Sequence, residues 1–445
     1  MEKIEKGNLD VARYIRNVNY EDFPPAVVRR AKNCLMDLLG SILGGSRTAV
    51  ASKARDLAVA VWPGSEATVV MTNEKSGCVG AAFANAFQAN AIDIDDGYRL
   101  VKGHPGALVI PAALATAEYV GGSGRRLIEA IVAGYEVGTR AGLIWHRHYP
   151  IYHASGSWGT IAAASTAAVM LDLKEEQTFH ALGIAEYQAP VNPMMRCIDY
   201  PAMVKDGIGW GSPTGVTAAL MAARGFTGIP SLFGFSEYAP QVESLGKTYN
   251  ILDLYFKPYA CCRWAQPPMA AALQLMDSHK LCHRDIERIK VLTFRESARL
   301  GKEFPCNTEE AQYSICYPLA AAIVDGEVGP DQVLDEKLKN PAILNMLARI
   351  EIRHDPRFDE KFPAVAEAEV EITTKDGRNF SSGPVQAKGD PDNPLNEEEL
   401  KAKFNWLAGT VKTREEIDEI KQCLNNLEDM ENIGPLMRLL QMPSA

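Results

Sequence analysis

The chain has no excess of positive charge, no long apolar run and no paired cysteine spacing, and each lack closes off a class of function. It carries 46 Lys and Arg against 56 Asp and Glu, a formal net charge of −10. Proteins that bind nucleic acid or anionic membrane present basic faces, so neither partner is expected. The long uncharged stretch 153–170 is dominated by Gly, Ser, Thr and Ala rather than Leu or Ile, too weakly apolar for a membrane span. Nine cysteines are scattered without a repeated Cys-x-x-Cys spacing, and residues 1–8 hold no apolar signal segment. Reduced thiols and a cytoplasmic location are the expectation. No internal repeat is visible, and 388–394 is the one linker-like stretch.

What is present is a sizeable core. Hydrophobic residues make up 47% of the 445, which excludes general disorder, and the length exceeds what one core usually organises. Up to about residue 280 the apolar residues recur at helical spacing, as in Val28, Ala31, Leu35, Leu38, Leu39 and Ile42 after the Pro24–Pro25 start. Three segments rich in Ala, Gly and Thr, 107–119, 160–171 and 214–223, predict helices that approach one another closely. Gly121, Gly122, Gly225 and Gly228 follow two of them as stop signals. Beyond 280, strict alternation appears around Ile350 and Ile352 and again at Ala368, Val370 and Ile372, the pattern of strands with one wet face. Asp376-Gly377 predicts a tight turn in a hairpin spanning about 366–385. Asn396 with Glu399 and Thr413 with Glu416 have capping-box spacing, so helices return at the end.

The richest block is 89–118, where Asp93, Asp95, Asp96 and His104 lie between two small-residue apolar segments. An acid buried beside a base is how proteins tune proton donors and acceptors. On a helix Asp93 and Asp96 would share a face while Asp95 points elsewhere. A catalytic or substrate-orienting carboxylate, a solvated helix end, and a metal site of a hydrolase built from Asp93, Asp96 and His104 are the three readings. No second His or Cys stands at a recurrent ligand spacing, which weakens the metal reading. His153 precedes a helix entry whose free N–H groups suit anions. Lys205 sits among apolar and Gly neighbours, either snorkelling or pocketed against a carboxylate. Lys257 and Arg263 bracket the Cys261–Cys262 pair, which reads more simply as small core residues than as a nucleophile. Tyr317 opens a further apolar helix, most simply as a packing residue with a polar tip.

The order of these segments is informative in itself. The run 91–96, then Gly103-His104-Pro105 with 111–118, His153, Lys205, 225–228, 257–263 and 313–322, resembles the MmgE/PrpD superfamily over nearly the whole chain. That superfamily includes 2-methylcitrate dehydratases, cis-aconitate decarboxylases and iminodisuccinate epimerases. The resemblance implies a mainly α fold in which both chain ends form an all-helical domain and a smaller α+β domain is inserted. The corresponding boundaries are 1–265, 266–395 and 396–445. It also implies a homodimer, a small di- or tricarboxylate substrate, and catalysis without metal or organic cofactor.

Carried over by position, the resemblance places Asp93, His104, His153, Lys205, Lys257 and Tyr317 in the active site, with Asp96, Arg263 and Gln266 binding substrate. Three positions depart from the family pattern: Gly106 where Ser is frequent, and Ile208 and Gln266 where His is frequent. The family's reactions pass through negative charge on a carbon beside a carboxylate, which fixed cations such as Lys205, Lys257 and Arg263 would stabilise. His104 and His153 are then the acid and base, Asp93 orients an imidazole, and Tyr317 donates a proton or positions a leaving hydroxyl. The leading expectation is a dehydratase of the 2-methylcitrate type, with an epimerase, a decarboxylase and a non-catalytic carboxylate-binding dimer as alternatives.

Overall fold

The computed structural model describes residues 2–442. Proline's fixed φ suits the first turn of a helix, where its missing N–H is no loss, and Pro25 opens the helix Pro25–Gly45. Ala31, Leu35, Leu38, Leu39 and Ile42 on this helix are fully buried, forming one stripe turned to the core. The predicted small-residue helices are Gly106–Val120, Ser155–Met170 and Ile208–Ala223. They pack with Gly124–His148 into a buried centre. The packing needs glycine: a Cβ on Gly138 would lie 2.3 Å from the Cβ of Ala162, and one on Gly215 would lie 2.4 Å from the Thr160 carbonyl. Gly121 ends its helix at φ +65°, in the left-handed region that costs other residues about 1 kcal/mol or more.

The change of pattern near 280 marks the strand Ile286–Thr293. It runs parallel to Ile350–His354 and antiparallel to Glu367–Thr374, which pairs in turn with Asn379–Ser381 and Val385–Gln386. Gly377, at φ +86°, makes the hairpin turn between the registered pair Ile372 and Phe380. Ala368, Val370 and Ile372 are fully buried, and the helix Gln266–His279 packs across this strand. A short hairpin, Pro63–Thr68 with Lys75–Ser76, interrupts the helical half; no alternation announced it.

Buried apolar residues fall into two large clusters. The first joins the helices before residue 256 to Leu400, Phe404, Ile417, Ile420, Leu424 and Leu436 from the end of the chain. The second spans Ala260 to Ile372 and draws in Ile92, Ile94, Ala154, Met194 and Ile198 from connecting segments of the first half. The returning helices Glu397–Ala408 and Arg414–Asn425 start in complete capping boxes at Asn396 and Thr413. Lys403 on the first of them reaches Asp37 at 2.5 Å and the Ile94 carbonyl at 2.8 Å, tying the chain end to the loop after Asn90. Burial pushes the Asp37 carboxyl up to about 6, against the pull of Lys403. The stretch 388–394 is no slack tether, because Asp390 is buried and doubly ion-paired. Among the described residues no helix is long and apolar enough to cross a membrane.

Candidate active site

The block expected to be helical is a turn. The helix Cys78–Asn90 ends at Asn90, and Asp93 takes a left-handed φ of +53°. The two-residue alternation that follows puts Asp93 and Asp95 on the His104 side and turns Asp96 away, the reverse of the face assignment a helix would give. Asp96 instead accepts hydrogen bonds from the Tyr135 hydroxyl and the Gly106 N–H, at the start of the next helix. Burial pushes its carboxyl up to about 7, and both of its oxygens are engaged by these two donors. Gly106 is explained by the same contact: a Cβ there would lie 2.4 Å from the Tyr135 hydroxyl and 2.6 Å from the Asp96 carboxylate.

His104 is the centre of the site. Its Nδ1 lies 3.0 Å from the Asp96 carbonyl and 3.2 Å from Asp95 Oδ2. A carbonyl only accepts, so Nδ1 carries hydrogen and Nε2 is the atom left for chemistry. Nε2 faces Asp93 Oδ1 at 3.6 Å and Asp206 Oδ2 at 3.7 Å. Burial and Lys257 push the imidazole pKa down, but the carboxylates of Asp95 and Asp93 outweigh them and the net shift is upward. The carboxylates thus favour the protonated ring. Asp95 is held ionised: burial opposes this, and His104, Lys257 and the amide of Asn90 overcome it. Asp206 accepts from Tyr313 at 2.6 Å and from Ser155 at 3.3 Å, and burial raises its carboxyl despite His104.

The two pocket lysines are engaged inward. Lys257 is fully buried, 2.7 Å from Asp93 Oδ1 and 2.9 Å from the Asp93 carbonyl. Burial lowers the ammonium pKa, and Asp93 with Asp95 raises it further than that, so it stays charged. Lys205, itself left-handed at φ +43°, donates to the Asn90 carbonyl and to Gln312 at 2.6 Å beneath Tyr313. Both hold the loop that carries Asp93 rather than facing a ligand.

The cations that do line the cleft are Arg99, Lys102 and Arg263. Lys102, left-handed at φ +51°, lies over the Tyr152 ring at 4.4 Å. Among the described residues its ammonium has no ion pair or hydrogen bond. Tyr152, Tyr255, Tyr313 and Cys262 complete the wall with Phe362 and Pro363 from the second core. Burial holds the Cys262 thiol well above its ordinary range, so it is no ready nucleophile. The cavity between these groups is about 30 Å³, room for little more than a water molecule or two.

Other expected site residues lie elsewhere. His153 sits behind Tyr152 in a nest of rings, about 6 Å from Trp145, His146 and Tyr149, where burial lowers its pKa. Tyr317 donates to the Gln332 carbonyl at 2.7 Å inside the second core, and it is Tyr313, in the break between two helices, that enters the cleft. Gln266 bonds the carbonyls of Tyr259 and Cys261 and accepts from Arg263 at 2.7 Å, so it holds the arginine rather than the substrate. Ile208 begins its helix fully buried in the first core. Neither departure from the family's histidines therefore touches the cleft. Arg99, Lys102, Tyr152, Asp206 and Tyr313 were missed, although Arg99 and Lys102 lie inside the block between Asp96 and His104.

Donor atoms of Asp93, Asp95 and His104 lie within 4.8 Å of one another, as a metal site requires. The Lys257 ammonium already lies against Asp93, so a metal ion there would have to displace a buried cation.

Comparison with known proteins agrees with this architecture. A cis-aconitate decarboxylase of Aspergillus terreus is 24% identical over 472 aligned residues, covering 98% of this chain and 96% of its own. That of Mus musculus is 26% identical, covering 98% and 93%. A mitochondrial 2-methylcitrate dehydratase of Yarrowia lipolytica is 29% identical over 249 residues, about half of each chain. Residues 9–237 match the MmgE/PrpD N-terminal domain and 259–428 the C-terminal domain, and the chain belongs to the MmgE/PrpD family.

Proposed function

We propose that the chain is a lyase that decarboxylates a small unsaturated tricarboxylate, with His104 as the proton donor. The observation that carries this reading is the placement of the His104 ring, whose Nε2 faces the cleft between Asp93 and Asp206 while Arg99, Lys102 and Arg263 line the cleft wall. Two substrate carboxylates are held at the cationic rim. As the bond to the third carboxylate breaks, carbon dioxide leaves and the electron pair passes into the conjugated carboxylate at the rim. Fixed positive charge at that locus stabilises the developing anion without reorganisation. His104 Nε2 then gives its proton to carbon, and solvent restores it. One proton is consumed for each carbon dioxide released. Decarboxylation needs a single proton donor, and one imidazole lines the cleft; the full-length relatives named cis-aconitate decarboxylase support the same choice.

Dehydration of a hydroxy acid is the second reading, favoured by one observation. Asp206 faces the same nitrogen at 3.7 Å and its carboxyl is raised by burial, so it is suited to take a carbon-bound proton while His104 protonates the leaving hydroxyl. Proton NMR in deuterated water with cis-aconitate and with hydroxytricarboxylates separates the two. The expected result is carbon dioxide release with one deuterium on the product. An alkene formed with carbon count retained selects dehydration, deuterium exchange without loss of carbon selects epimerisation, and no turnover of any di- or tricarboxylate overturns the proposal.

A further inference from the structure

Asp390 has no place in the chemistry above, yet it is among the most constrained side chains near the cleft. It is 3% exposed in a stretch whose composition looks like a linker. One carboxylate oxygen pairs with Arg99 and the other with Arg263 at 2.9 Å. Both guanidiniums lie over the Tyr255 ring, 5.6 and 5.0 Å from its centroid. Gly389 makes the approach possible: at φ +112° a Cβ would lie 2.0 Å from the Phe256 carbonyl. Burial would favour a neutral Asp390, and the two arginines outweigh it, so the carboxylate stays charged.

The donor count shows what this leaves for a ligand. Arg263 uses its terminal nitrogens on Gln266, Lys388, Ala387 and Asp390. Its Nε is buried without a partner. Arg99 gives one terminal nitrogen to Asp390, and among the described residues its other donors are unengaged. Deeper in the site, Asp93, Asp95 and Asp206 are matched by Lys257, Lys205 and His104. The rim therefore holds three cations and one carboxylate.

We propose that Asp390 is the positioning residue of the rim: by bridging Arg99 and Arg263 it fixes the two guanidiniums at the cleft wall and leaves two net positive charges, matching two substrate carboxylates. The inference rests on the polycarboxylate reading and deepens it. Without Asp390 two buried guanidiniums over one ring repel and lose register, so substrate affinity falls while the proton donor is untouched.

The test is a double-mutant cycle of Asp390→Asn and Arg99→Lys, read as KM and kcat with the substrate found above. Binding of propane-1,2,3-tricarboxylate, which has no bond to react, is followed by calorimetry alongside. Each single variant is expected to raise KM and the dissociation constant about tenfold with kcat within about twofold. The double variant is expected to be no worse than about tenfold, because residues acting as one unit are non-additive. An additive, roughly hundredfold loss overturns the proposal, as does a fall in kcat at unchanged KM, which is what a merely structural role produces. If Asp390→Asn does not fold, Arg99→Lys alone decides: unchanged affinity overturns the clamp. Wild-type protein that neither binds nor converts any polycarboxylate overturns the functional reading with it, whereas wild-type binding equalled by Asp390→Asn overturns the role of Asp390 alone.

Discussion

At the scale of single residues, His104 and its ring of carboxylates make the sharpest predictions. Because the folded-state pKa is raised, the imidazolium persists above the ordinary histidine value of 6.5 and is lost as pH rises through the raised value. The rate at saturating substrate is therefore expected to fall on the alkaline side. The stability this ion cluster contributes is full below about 6.5 and declines over the same rise in pH. His104→Gln is expected to lower kcat about 10²–10⁴-fold; a variant retaining wild-type kcat would remove His104 from the mechanism. The tyrosines separate sequence from structure. Tyr313→Phe is expected to cut the rate because Asp206 loses its 2.6 Å donor, whereas Tyr317→Phe is expected to leave kcat within about twofold. Equal losses in both would return Tyr317 to the site. That Asp93 and His104 stand out was legible from their place in one block, because charge beside a small-residue helix is conspicuous. The cations of the cleft wall were not, since nothing in their spacing sets Arg99 and Lys102 apart from surface charge, and the left-handed turns at Asp93 and Lys102 carry no local signal.

At the scale of elements, most helices and the hairpin could be read from periodicity, caps and Asp-Gly, because these signals are local. The left-handed turn after Asn90 could not, since its cause is distant: Lys257 accepts nothing and pulls both the Asp93 carbonyl and carboxylate toward it from a segment 164 residues away. Removing that pull leaves two carboxylates, Asp93 and Asp95, short of a buried cation. Lys257→Met is expected to destabilise the fold by about 3–5 kcal/mol, the usual consequence of orphaning a buried charge. Pairing it with Asp93→Asn is expected to recover part of that loss, measured by urea unfolding at pH 7. The close-packed helices give an opposite test, where propensity and packing disagree. Gly138→Ala gains about 1 kcal/mol of helix propensity, but its Cβ would meet Ala162 at 2.3 Å, well inside van der Waals contact. Overpacking costs about 1–3 kcal/mol, so a lowered melting temperature is expected; a raised one would mean that Ser155–Met170 can yield.

At the scale of the whole molecule, the site takes its apolar wall from the second core and its charged groups from loops of the first half. Arg99, Lys102 and His104 come from a loop of the first half, Tyr313 and Phe362 from the second cluster, and Ile92, Ile94 and Met194 cross between them. The return of the last helices to the first core was implied by the family resemblance, and their starts were legible as capping boxes at Asn396 and Thr413; the contact that ties them down was not, because Lys403 meeting Asp37 joins residues 366 apart. The cavity of about 30 Å³ is far below the roughly 300–1,000 Å³ of ligand pockets. A tricarboxylate can enter only if the walls separate and close again over it. Closure then makes contacts with both halves at once, so ligand binding links their unfolding. A ligand at about 100 times its dissociation constant adds roughly 2.7 kcal/mol to whatever unit must unfold to release it. Scanning calorimetry with propane-1,2,3-tricarboxylate is therefore expected to move every resolved transition upward together, and to merge two transitions into one where two exist without ligand. If one transition rises while another stays fixed, the ligand is held by a single core and the cleft between them is not where it binds.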